Sequence, residues 1–277
     1  MKSYHFISGL PRSGSTLLSG ILKQNPEFYA DIASPVEALT GTSIDIISGA
    51  ESNLATTEDQ RKNIMYGIFD GYYKHIENSI IFDSSRNWTK KTSFLKSLFP
   101  DTKILCSVRD IVSILNSFEV IASKNPFHTN TLTEDNNNVF LRCDGLMNKT
   151  TGIIAVPWIL LQEGYALHPE MIMLIEYENL CKNPEKTMRK VYEFLEMPYY
   201  SHDFENVEYS NQNFDKACNL KDLHTIKKKV EYNPPKCILP PEIVKKYTEM
   251  NMEFWRAGHK TDHQIIEKLD KKFINYQ

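Results

Sequence analysis

Tyr4-His5-Phe6-Ile7-Ser8-Gly9-Leu10-Pro11-Arg12-Ser13-Gly14-Ser15-Thr16-Leu17-Leu18 is the stretch that decides the fold. Its first five residues form a short run that ends at Gly9, as a buried strand does. From Ser15 to Lys23, Leu17, Leu18, Ile21 and Leu22 lie along one side of a helix that Pro26 ends. A loop between strand and helix turns several backbone N–H groups, with the positive helix end, toward one point where an anion can sit. The spacing G-x-x-x-x-G-x-T from Gly9 to Thr16 is that of a nucleotide phosphate loop. Ser15 stands where the usual lysine would be, and the cation is Arg12, inside the loop. The loop is therefore expected to hold a phosphate without the Lys and Mg²⁺ arrangement of ATP and GTP enzymes.

Working outward, apolar residues from Thr57 to Ile76 recur at three- and four-residue spacing and predict an amphipathic helix. Ser79–Phe82, Lys103–Val108 and Met171–Glu176 read as further strands. Ser93–Phe99 and Asp110–Ala122 read as helices, followed by a polar loop from Pro126 to Asn138 and a long helical region to about Tyr165. Asn183-Pro184-Glu185 opens another helix with a capping Asn and a proline at the first position. Residues Ser201 to Pro241 are irregular, and a last helix runs from about Glu242 to Trp255. Strands alternating with helices predict an α/β fold, a central parallel sheet flanked by helices. No linker divides the 277 residues, so a single domain over 1–277 is expected.

Composition narrows the function. Lys+Arg 32 against Asp+Glu 35 gives a net charge of −3, which argues against nucleic acid as a partner and leaves room for a local basic pocket. Five widely spaced cysteines with no C-x-x-C argue against a disulfide framework or a zinc knuckle. The longest apolar run, Gly152–Leu161, is too short to span a bilayer and contains Pro157. Met1-Lys2-Ser3 leads into the first strand without the apolar core of a signal peptide, so a cytoplasmic enzyme is expected.

Pro11-Arg12-Ser13-Gly14-Ser15-Thr16 resembles the 5′-phosphosulfate loop P-[KR]-[ST]-G-[ST]-[ST] of the sulfotransferases that use 3′-phosphoadenosine 5′-phosphosulfate (PAPS). The resemblance implies the P-loop-containing nucleotide-hydrolase-like fold of that family. It also implies that Pro11, Arg12 and the backbone of Ser13, Gly14, Ser15 and Thr16 hold the 5′-phosphate and sulfonyl group. Arg109 ends a strand, and Ser117 lies eight residues on, in the following helix. The family carries an Arg and a Ser at this spacing as its 3′-phosphate signature, and guanidinium plus hydroxyl suit a phosphate. Tyr177-Glu178-Asn179-Leu180 is similar to the family's Y-E-[DN]-L segment, which implies Tyr177 near the adenine. The family closes a basic C-terminal loop over the 3′-phosphate, a role for Lys227 or Lys228 here.

The expected reaction is in-line transfer of the sulfonyl group from PAPS to a hydroxyl or amine, leaving 3′-phosphoadenosine 5′-phosphate (PAP), with no metal. Arg12 is the candidate for stabilising charge on the leaving phosphate. The general base departs from the family pattern: no His lies on the strand before Trp88, and Ile32 and Ala33 occupy the positions where the protein-tyrosine branch carries Glu. Asp83 and Glu37 are the candidates. The acceptor stays open among sugar, peptide tyrosine, lipid and small metabolite, as does the oligomeric state. A small-molecule kinase using ATP and Mg²⁺, or a catalytically inactive PAP-binding module, are the alternatives.

Overall fold

Five short strands whose residues are almost all buried build the sheet of this computed structural model, which describes residues 2–124, 138–208 and 228–256. They are β1 (Ser3–Gly9), β2 (Phe28–Ala30), β3 (Ile80–Ser84), β4 (Ile104–Val108) and β5 (Ile172–Glu176). All pairings are parallel, in the order β2-β3-β1-β4-β5. The alternation of side chains along a strand divides the core between two faces. Phe6, Ile104, Cys106, Val108, Ile172 and Leu174 join the larger cluster, while Ile7, Leu105, Met173 and Ile175 join the smaller.

Helix α1 (Ser15–Leu22) returns from β1 and packs on the smaller face through Leu18, Ile21 and Leu22. Three helices follow: α2 (Val36–Ile47), α3 (Ala50–Ala55) and α4 (Glu58–Tyr72). Thr57 opens α4 with a reciprocal capping box to Gln60. Helix α5 (Thr92–Leu98) precedes β4, and α6 (Ile111–Lys124) follows it. Helices α7 (Val139–Leu146), α8 (Ala155–Leu167), α9 (Tyr177–Lys182) and α10 (Pro184–Phe194) complete the main body, and α11 (Pro241–Glu249) packs on α6.

The sheet and the expected flanking helices are present, with several differences. Strand β2 is three residues long, too short for a periodic signal. Residues 34–48, which the sequence assigns to no element, are mostly α2, whose exposed Leu39 and Ile46 blur its apolar stripe. The long helical region before Tyr165 is two helices, broken where the Asn148 side chain accepts from the Thr150 and Thr151 amides. The last helix ends at Glu249, and Phe254–Arg256 is a separate 3₁₀ turn. The expected polar loop from 126 lies outside the described residues up to Asn138, which caps α7.

Candidate active site

The carboxyl ends of β1, β3, β4 and β5 meet at one edge of the sheet, where open α/β folds bind ligands. The turn after β1 is the centre. Gly9 has φ +110°, and a Cβ there would lie 2.2 Å from the Ser107 carbonyl, so only glycine lets the loop leave the strand against β4. Arg12 (φ +56°) and Gly14 (φ +92°) also adopt left-handed backbone. A non-glycine residue held there marks a backbone shaped by its surroundings. No side chain caps α1 at Gly14, so its first-turn N–H groups face the loop, as an anion requires. The buried Ser13 hydroxyl donates to the carbonyls of Leu10 and, at 2.9 Å, Ser107, which pins the loop to β4 and leaves the Ser13 backbone for a ligand.

The two anion signatures, 97 to 105 residues apart in the chain, form one unit. Arg12 Nε donates to Ser117 Oγ at 3.2 Å, and Arg109 Nη1 donates to the Arg12 carbonyl at 3.2 Å. The Arg109 guanidinium lies over the Tyr177 ring, 4.4 Å from its centroid. Tyr177 also closes on the loop: a Cβ at Gly14 would sit 2.7 Å from Tyr177 Cδ2. Burial pushes the Tyr177 phenol well above its ordinary range. The Arg109 Nε and Ser107 Oγ atoms are buried and have no hydrogen-bond partner among the described residues. Two linked cations, open helix-end amides and orphaned donors fit a doubly anionic nucleotide such as PAPS.

The end of β3 holds the two base candidates, and it separates them. Asp83 is 0% exposed, and its carboxyl accepts from Ser34 Oγ (2.5 Å), Tyr73 OH (2.6 Å) and Trp88 Nε1 (2.7 Å). Burial raises its pKa, opposed by these three donors. The expectation of Asp83 as general base is therefore corrected: its carboxyl is fully buried and every donor it meets is internal. It ties the strand end to the start of α2, the end of α4 and the turn at Trp88.

Glu37 lies in the first turn of α2 on the same sheet edge. Its carboxylate pairs with Lys91 at 2.8 Å and accepts from Asn87 Nδ2 at 3.3 Å. Lys91 Nζ also donates to the Glu37 carbonyl at 2.7 Å. The segment carrying Asn87 is tied to β1 by Ser85 N to Ile7 O and Ser8 Oγ to Arg86 O, both 3.1 Å. Glu37 thus stands beside the phosphate-loop strand. Sequence reasoning passed over Lys91, because Lys90-Lys91 reads as a solvated pair until α2 is placed over it.

The C-terminal expectation concerns Lys227 or Lys228. Lys227 lies outside the described residues. The Lys228 side chain is 74% exposed and pairs with Glu208 at 3.8 Å. Among the described residues of this segment, Tyr232 reaches the site: its ring is 6.1 Å from Tyr177, with Lys182 Nζ 4.5 Å from the Tyr232 centroid. Tyr232 carried no motif, since an aromatic in an irregular segment has no period to mark it. Among the described residues, no helix is long and apolar enough to cross a membrane.

Residues 5–201 match the sulfotransferase family. The chain belongs to that family. It is a PAPS-dependent sulfotransferase, and the kinase alternative falls with that assignment. Protein-tyrosine sulfotransferase A of Caenorhabditis elegans is 26% identical, the match spanning 98% of this chain and 80% of that protein. The protein-tyrosine sulfotransferase of Drosophila melanogaster is also 26% identical, over 75% of this chain and 40% of that protein. Among solved structures, a sulfotransferase from Alicyclobacillus acidocaldarius superposes with TM-score 0.53 at 15% identity, covering 90% of this chain and 91% of that one. A mouse sulfotransferase complexed with PAP gives 0.52 at 13% identity, covering 93% of this chain and 86% of that one. These two show the shared fold.

Proposed function

We propose that this sulfotransferase acts on the phenolic hydroxyl of a tyrosine in a protein, with the donor held by the Arg12–Ser117–Arg109 unit. The observation that carries the donor site is that unit: two cations from distant segments joined through a hydroxyl and a loop carbonyl. The two protein-tyrosine sulfotransferases among its relatives support the acceptor.

When bound, PAPS supplies the sulfonyl group. Pro11 and the left-handed Arg12 shape the loop, and the backbone N–H groups of Ser13 to Thr16 hold the 5′ end of the donor. Arg12 stabilises charge that develops there. Arg109 and Ser117 hold the 3′-phosphate, and Tyr177 faces the nucleoside. Glu37 is the base that takes the acceptor proton, and Lys91, already on its carboxylate, orients it.

The test offers the full chain labelled PAPS with a peptide holding one tyrosine, its phenylalanine counterpart, a sugar and a small phenol. Label transferred to the tyrosine peptide and not to its phenylalanine counterpart is the expected result. Transfer only to the sugar overturns the acceptor. PAP binding with no transfer to any acceptor leaves a nucleotide-binding protein without catalysis.

A further inference from the structure

Arg109 and Glu178 are both nearly inaccessible, each side chain 7% exposed, yet they meet poorly. Arg109 Nε and Glu178 Oε1 stand 3.7 Å apart, beyond a hydrogen bond. Arg109 Nε and Glu178 Oε2 have no hydrogen-bond partner among the described residues. A buried pair with such geometry contributes little to stability, because desolvation of two ions exceeds what a loose contact returns. Burial raises the Glu178 pKa, and Arg109 lowers it in part. The pair calls for an explanation other than stability.

The placement supplies one. Arg109 is held from three sides: Tyr177 under its face, the Arg12 carbonyl on Nη1, and Glu178 beside Nε. Glu178 Oε2 has no hydrogen-bond partner among the described residues; the carboxylate also draws on the Glu178 backbone N–H, and Arg109 is the cation that acts on it most strongly, ahead of Arg256. Glu178 offsets the charge of Arg109 from the Nε side and leaves the far side of the fork for an anion. Tyr177 and Glu178 are consecutive at the start of α9, so one short helix sets both the surface under Arg109 and the charge at its edge.

We infer that Glu178 is a positioning residue that, through Arg109, gives this site its preference for a nucleotide with a second phosphate on the ribose. This rests on the PAPS reading of the site. Coulomb's law alone predicts the opposite sign: a carboxylate near a phosphate repels it, and its removal should tighten binding. Positioning predicts that removal loosens it.

Calorimetry on the full chain with PAP and with adenosine 5′-monophosphate decides between them, on wild type, Glu178→Gln, Arg109→Ala and the double variant. Expected is a loss of about tenfold for PAP in Glu178→Gln, with less than about twofold for the monophosphate, and a double variant no weaker than Arg109→Ala. Equal losses on both nucleotides, PAP affinity unchanged or increased, or additive losses in the double variant overturn the inference. A wild type that binds PAP no better than the monophosphate overturns the donor-site reading itself, and the inference with it. Thermal unfolding accompanies each variant. If Glu178→Gln does not fold, Glu178→Asp, with the charge on a shorter arm, is read by the same preference: a reduced PAP-to-monophosphate ratio supports the inference and an unchanged one overturns it.

Discussion

Two buried carboxyl groups on the same sheet edge, Asp83 and Glu178, are treated in opposite ways. At the end of β3, Asp83 receives three internal donors, from three separate segments. At the ends of β4 and β5, Arg109, Ser107 and Glu178 each keep a buried atom with no hydrogen-bond partner among the described residues. A saturated group holds its neighbours still, whereas an unsaturated one beside an anion-binding loop is open to a ligand. A buried carboxylate near a site is therefore poor evidence for a base until its partners have been counted.

The largest expected effect lies on the open side. Arg12→Ala should lower kcat/KM about 100- to 1,000-fold, since it removes a donor aimed at developing charge. Steady-state kinetics with the labelled donor reads this, and the denaturation midpoint should move little. Asp83→Ala has the reverse signature. It strands the Tyr73, Trp88 and Ser34 donors and should cost about 3 kcal/mol of stability, read by chemical denaturation. An unchanged midpoint would break the comparison.

Glu37→Gln sharpens it, because this residue sits on the Asp83 side of the edge yet is assigned chemistry. It should lower kcat about 100-fold and leave PAP affinity unchanged. Lost PAP affinity would reassign it to donor binding.

Buried groups that stay uncharged offer a third case. Burial, with nearby Lys103 adding to it, lowers the His5 pKa from its usual 6.5 to about 4, and its Nδ1 accepts from the Lys103 amide at 3.1 Å. Between these values the unfolded chain binds the proton and the folded one does not. Stability is therefore full above about pH 6.5 and falls as pH drops toward about 4. His5→Asn should remove that loss, about 3 kcal/mol between pH 6.5 and 4, read from stability measured across that range. The smallest effect is that of Ser117→Ala, which removes one neutral partner of Arg12 and should weaken PAP binding about fivefold by calorimetry.

Much of this was legible without coordinates. The phosphate-loop motif is eight contiguous residues whose glycines dictate a turn, and that turn is found where expected, between β1 and α1. The parallel sheet follows from short buried runs alternating with helical periods. Strand β2 and helix α2 escaped notice, one for want of length and the other because its apolar side is partly exposed. Asp83 was misread because a carboxylate at a strand end looks the same in sequence whether it faces solvent or three donors.

The sequence alone determined the two anion signatures, the cation inside the first loop and the layered α/β class. These depend on local backbone geometry and on side-chain period, both written within a few residues. Only the tertiary structure decided that Arg12 meets Ser117 across 105 residues, that Glu37 takes Lys91 as its partner, and that Arg109 faces Glu178. The strand order β2-β3-β1-β4-β5 sets β1 between β3 and β4 and β5 beyond β4. Which side chains share an edge is a property of that order, and no stretch of chain carries it.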